Sequence, residues 1–331
     1  MDYLIHGGLT KTGSSSIQAF LLANRDGLAR RGVHYPRGYL EVHPRQHSPI
    51  AVALKEGRAE EVGRFARSSL AEATAAGASR VVWSGELLGA MRPQDMPVLV
   101  DVARREGGAE NVRIILYFRN LFDRLLSRMN QQTKMGDSVF DESRIERMAR
   151  ANPSYLVSAW EAAAGADNVD IRIFDLAVGT GLERDFLQAI GVEWSDEFEL
   201  QPLANSSLDP ITAQLLNLLR VEWMLPAGLV RACERRSKTY RLPETRRRAV
   251  QSLREAVDRT DLSHPKLAPH RDVLTALKDP ATSAPSLPEF LDDLIATLTY
   301  LREESAGPDT LVVPAKVRGK VPRPLRRGAD D

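Results

Sequence analysis

Residues 3–18 read Tyr3-Leu4-Ile5-His6-Gly7-Gly8-Leu9-Thr10-Lys11-Thr12-Gly13-Ser14-Ser15-Ser16-Ile17-Gln18. Tyr3 to Ile5 is a short apolar run that predicts a strand ending at His6-Gly7-Gly8. From about Ser14 to Arg31, Ile17, Phe20, Leu21 and Leu28 recur at helical spacing until Gly32 stops the pattern. The first amides of a helix have no partner within it and carry a partial positive charge. Glycines let the chain wrap closely so that several amides face one centre. The hydroxyls of Ser14, Ser15 and Ser16 add donors and Lys11 adds a full charge, so the segment predicts an anion site for a phosphate or sulfate.

This is not the ATP-binding Walker A loop, in which lysine follows the second glycine of G-x-x-x-x-G. Gly8 and Gly13 have that spacing, but Ser14 stands where the lysine belongs and Lys11 lies inside the loop. No strand ending in an isolated aspartate offers the usual magnesium partner, so no metal is expected.

Outward from this segment, strands and helices alternate. Strands are expected at Val33 to Tyr35, Arg80 to Trp83, Val112 to Phe118 and Val169 to Phe174, with helices over about Glu60 to Ala76 and Pro97 to Glu106 between them. That order predicts a three-layer α/β fold, its central sheet mostly parallel with helices on both faces. After Asp175 the pattern turns helical, at Arg184 to Ile190, Pro210 to Trp223, Glu244 to Val257 and Leu287 to Glu303. The expected organisation is an α/β core over 1–205, a helical extension over 206–305 that contributes to an acceptor site, and a basic, extended tail over 306–331.

The 331 residues supply ample core, with 43% hydrophobic, and Lys+Arg 45 against Asp+Glu 44 gives a net charge of +1. So even a balance offers no general attraction to nucleic acid. A single cysteine, Cys233, excludes an internal disulfide framework and a cysteine zinc cluster. No apolar run of membrane-spanning length and no leader pattern appear, so a cytoplasmic protein without integral membrane association is expected.

The central strand is followed by Arg119-Asn120-Leu121-Phe122-Asp123-Arg124-Leu125-Leu126-Ser127. Arg119 leaves a strand at its carboxyl end, where α/β sheets bind ligands, and its planar fork suits a phosphate. The two segments together resemble those of the sulfotransferases that use 3′-phosphoadenosine-5′-phosphosulfate (PAPS), bacterial members included. Thr10-Lys11-Thr12-Gly13-Ser14-Ser15-Ser16 is similar to that family's P-K-T-G-T-T-S, with Thr10 for the proline and serines for the threonines. The second segment is similar to its R-N-P-x-D-R-x-x-S, with Leu121 for the proline. The resemblance covers about residues 2–135, with weaker echoes at Ile171 to Asp175 and Asn205-Ser206-Ser207. It implies a P-loop-like sulfotransferase fold, PAPS as donor, 3′,5′-adenosine diphosphate as product and no metal. It further implies donor contacts by Lys11, Thr12, Gly13, Ser14, Ser15 and Ser16, a 3′-phosphate held by Arg119 and Ser127, and Lys11 stabilising the leaving phosphate.

Transfer to a hydroxyl or amine needs a group to remove the acceptor proton. His47, Glu41 (in the loop where several carbohydrate sulfotransferases place a catalytic glutamate) and Glu86 are the candidates, with His43 beside them. The acceptor is expected to be a small molecule or glycan. The basic stretch Lys316 to Arg323 is expected to be a solvated tail. Two other functions share the loop: a kinase-like NTPase, and a nucleotide-binding protein without catalysis.

Overall fold

A computed structural model describes residues 1–9, 11–37, 39, 46–125, 127, 152–200 and 254–276, all of which belong to the first of two compact units in the chain. Thr10, Glu41, His43, the predicted helices at Pro210 to Trp223 and Leu287 to Glu303, most of the one at Glu244 to Val257, and the basic tail lie outside the described residues.

The unit is α/β, as the alternation of strand and helix predicts. Five strands form one sheet in the order β2-β3-β1-β4-β5, every neighbouring pair parallel. They are β1 (Asp2–Gly8), β2 (Val33–His34), β3 (Arg80–Ser84), β4 (Asn111–Phe118) and β5 (Val169–Ile173). Their near-continuous apolar runs suit strands covered on both faces. On one face Leu4, Val33, Val82, Ile115 and Tyr117 pack against α1 (Ser14–Ala23) and, further along the chain, a helix at Leu182–Ala189. On the other, Tyr3 and Trp83 stack edge to face beneath α4 (Ala59–Ala75), whose Phe65 tilts onto Trp83. The helices α6 (Asp95–Arg105) and α7 (Pro153–Ala164) continue that second layer. Burying each such large apolar side chain contributes roughly 1.5–3 kcal/mol.

The remaining helices are α2 (Arg25–Ala29), α3 (Pro49–Lys55), α5 (Glu86–Gly89), α8 (Phe174–Thr180), α9 (the Leu182–Ala189 helix) and α10 (Arg271–Thr275). Several differ from the expectation. The long helix over Ser14 to Arg31 is two, α1 and α2. They part at Asn24, whose side chain donates to the Phe20 carbonyl at 2.9 Å and exchanges hydrogen bonds with the backbone of Glu199. Such side-chain to backbone bonding competes with continuing a helix. Phe174 opens a helix rather than closing β5. And β1 runs through Gly7 and Gly8, which pair with Leu116 and Tyr117 of β4. The loop is therefore shorter than its glycines suggest, residues 9–13 only. A Cβ on Gly7 would lie 2.2 Å from the Gly89 backbone nitrogen, so Gly7 is small because α5 packs onto the strand end.

Candidate anion site at the carboxyl edge of the sheet

The loop after β1 turns tightly enough that a Cβ on Gly8 would fall 2.2 Å from Thr12 Oγ1 and 3.0 Å from Ser14 Oγ. Two successive turns of unusual backbone make this possible. Gly13 has φ 77°, and Lys11 has φ 74°, the one non-glycine residue with positive φ among the described residues. Thr12 is buried and donates its hydroxyl to the Leu9 carbonyl at 2.7 Å, closing the loop on itself. Thr12 thus holds the loop's shape with its side chain.

Helix α1 begins directly after Gly13, with no side-chain cap and no acidic residue in its first turn. Its amino end keeps its full positive field. Of the serines, Ser14 is buried and its Oγ has no hydrogen-bond partner, Ser15 faces solvent and Ser16 is half-buried. One turn on, Gln18 is buried with its Nε2 equally unpartnered. A buried hydroxyl or amide left without a partner costs free energy, so such groups mark a place for an outside acceptor.

The predicted second element meets the first. Arg119 leaves the end of β4 and donates from one guanidinium nitrogen to the Lys11 carbonyl at 3.1 Å. Another lies 4.0 Å from Asp123, and the plane sits 5.0 Å over the Phe174 ring. Its Nε is buried and has no partner. Phe174 also supports the loop, because a Cβ on Gly13 would fall 2.7 Å from its ring. Ser127 is half-buried on the helical segment that follows Arg119. The arrangement offers an anion an uncapped helix end, a loop folded tightly on itself, unpartnered donors and one arginine laid across the loop.

The three base candidates fare differently. Glu41 lies outside the described residues. Glu86 opens α5 just beyond β3, half-buried, and its side chain makes no hydrogen bond or ion pair among the described residues. His47 does not fit a base. It is fully buried, its amide donates to the Ser84 carbonyl at 2.7 Å, and its Nδ1 accepts from the Ser84 amide at 3.1 Å. The ring proton is therefore on Nε2, which donates to the Pro36 carbonyl at 3.1 Å. With both nitrogens engaged, nothing is left to take an acceptor's proton. Burial holds its pKa down at about 4. The backbone around His47 passes close over a glycine: a Cβ on Gly85 would fall 2.7 Å from the Ser48 nitrogen.

Sequence reading missed three residues here. His6 is buried on β1 against the Tyr117 and Phe186 rings, its Nδ1 2.8 Å from Ser84 Oγ, its Nε2 without a partner and its pKa pushed down to about 3 by burial. Phe174 escaped notice because it sits at a strand end, where an aromatic reads as core. Asn120, beside Arg119, looked like turn chemistry alone.

No family model matches the chain, and no curated protein matches it. Among solved structures, the chain is similar to a sulfotransferase from Alicyclobacillus acidocaldarius, at 15% identity and TM-score 0.38, over 66% of this chain and 93% of that one. It is also similar to a sulfotransferase domain from the curacin biosynthetic pathway, at 11% identity and TM-score 0.35, over 60% of this chain and 77% of that one. No helix among the described residues is long and apolar enough to cross a membrane.

Proposed function

We propose that this chain is a sulfotransferase that moves the sulfuryl group of PAPS to a hydroxyl or amine of a small-molecule or carbohydrate acceptor, in the cytoplasm and without a metal. The observation that carries this reading is the meeting of two sequence elements at one edge of the sheet. Arg119 bonds the loop at the Lys11 carbonyl, and its Nε lies buried without a partner, as does Ser14 Oγ in the loop's helix. One phosphate at the loop and a second near Arg119 is the pattern that a 3′,5′-bisphosphorylated nucleoside would satisfy.

In this reading the α1 amino end, Thr12, Gly13, Ser14, Ser15 and Ser16 hold the 5′ phosphosulfate. Arg119 and Ser127 hold the 3′-phosphate. Lys11 places positive charge beside the leaving phosphate oxygen, which takes the electron pair of the breaking S–O bond and gains negative charge, so the barrier falls without a proton transfer. A carboxylate, Glu86 or Glu41, receives the acceptor's proton.

Titration calorimetry with 3′,5′-adenosine diphosphate and with ATP and Mg²⁺ tests the donor. The diphosphate is expected to bind and ATP not to compete with it. Preference for ATP and Mg²⁺ would sink the sulfotransferase reading in favour of an NTPase. Binding of the diphosphate without sulfate transfer to any of a broad acceptor panel would leave a nucleotide-binding protein without catalysis.

A further inference from the structure

Asn120 is fully buried, and each of its polar atoms is engaged. Its amide donates to Asp175 Oδ2 at 2.6 Å. Its Oδ1 accepts from the Asp123 amide at 3.1 Å, capping the helical segment that carries Ser127. Its Nδ2 donates to the carbonyls of Val273 at 2.9 Å and Ala276 at 2.7 Å. Val273 lies in the last turn of α10 and Ala276 is its C-cap, where a helix has no amide donors left for its carbonyls. One side chain therefore closes the end of one helix and the start of another.

Helix α10 lies in a strap, described over residues 254–276, that is anchored independently between Asp261 and Lys266. Ser154 donates to the Asp261 carbonyl and accepts from the His264 amide, both at 3.0 Å. Glu161 takes His264 at 3.1 Å and Lys266 at 3.0 Å. Leu262, Leu267 and Leu274 are buried along it. The strap thus runs from α7 to the residue bonded directly to Arg119, and Arg119 in turn grips the Lys11 carbonyl.

We propose that Asn120 is a positioning residue that couples the strap to the loop, so that order at 271–276 sets the geometry of Arg119 and, through it, of residues 11–17. The residue type is specific. Only an amide both donates to two carbonyls and accepts from an amide; aspartate keeps the cap on Asp123 and sets a carboxylate against two carbonyl oxygens. The benefit to donor binding rests on the function proposed above, whereas the mechanical link does not.

Hydrogen exchange on the full chain without ligand tests the link. Asn120→Asp is expected to speed exchange about tenfold, one lost hydrogen bond's worth, at Ala276 and at Ser16 and Ile17 alike. Ser154→Ala, which breaks the far anchor, is expected to speed exchange near His264 and leave Ser16 and Ile17 unchanged. Faster exchange at Ala276 with none at Ser16 and Ile17, or equal loosening of the loop by Ser154→Ala, overturns the coupling. Should Asn120→Asp fail to fold, Leu274→Ala loosens α10 from the strap side and the same amides decide. In the wild type, 3′,5′-adenosine diphosphate is expected to slow exchange at both places. Protection that reaches Ser16 but not Ala276 counts against the coupling, and none at Ser16 counts against the donor reading alone.

Discussion

Two adjacent strands, β1 and β3, end at the same edge of the sheet, and the residues around those ends use their polar groups in opposite ways. Beyond β3 the network is closed. Ser84 accepts from the His47 amide and donates its own amide to the His47 ring Nδ1, His47 Nε2 reaches Pro36, and Ser48 Oγ donates to Gln46 and accepts from Leu87; His6, on β1, meets Ser84 Oγ through Nδ1 and leaves its buried Nε2 without a partner. Beyond β1 the network is open, with Ser14 Oγ, Gln18 Nε2 and the neighbouring Arg119 Nε all buried and unpartnered. A closed polar network stabilises a fold, while an open one at a helix amino end is built for something that arrives from outside. The distinction separates the engaged ring of His47 from the unpartnered Ser14 and Arg119 atoms.

The closed side is broken most deeply by acid. His6 and His47 are held neutral by burial, with pKa values of about 3 and about 4. In the unfolded chain each titrates near 6.5. Below that pH the unfolded state binds protons that the folded state refuses, so stability is full above pH 6.5 and falls as the pH drops towards 4. Each histidine costs roughly 3 kcal/mol by pH 4. Urea unfolding across that range should show the fall, and His47→Gln should flatten its share of it. An unchanged slope in the variant would mean His47 is not the buried neutral group described.

On the open side, Lys11→Ala should lower kcat by a factor of about 100–1,000 with little change in affinity for 3′,5′-adenosine diphosphate. Equal losses in both would contradict a role at the leaving oxygen. A comparison across the two sides comes next. Glu41→Gln or Glu86→Gln should reduce turnover about a hundredfold, while His47→Gln, once folded, stays within about threefold of wild type because its nitrogens never face the acceptor. Turnover lost in His47→Gln, measured at the temperature where both are folded, would return the base to the closed side. Smallest in activity terms, Arg119→Ala should weaken binding of 3′,5′-adenosine diphosphate by about 2–3 kcal/mol, read by calorimetry.

Much of the fold was legible in sequence because hydrophobic runs and glycine stops are local signals. Val112 to Phe118 could hardly be anything but a central strand, and it is one residue longer than expected. The break at Asn24 was illegible, since its partner Glu199 lies far along the chain. So was the placement of Gly7 and Gly8 in β1, which depends on Gly89 packing against them. That Arg119 would come to the loop carrying Gly13 and Ser14 was legible because the two motifs state residue type and order. The surroundings of His47 were illegible because a histidine next to a serine and proline carries no local mark of whether its ring faces solvent or backbone groups. Phe174 and Asn120 act through contacts with Arg119 and residues 273–276, which only tertiary structure brings together.

Lys11 keeps a backbone conformation that glycine would adopt freely and that burdens a lysine by roughly 1–2 kcal/mol. Lys11→Gly would relieve that burden and, in the function proposed, remove the charge at the reacting bond. Selection for heat resistance and selection for turnover would then pull this position in opposite directions. A variant library screened by survival at high temperature would enrich the glycine, and the tougher protein it recovered would be a silent one.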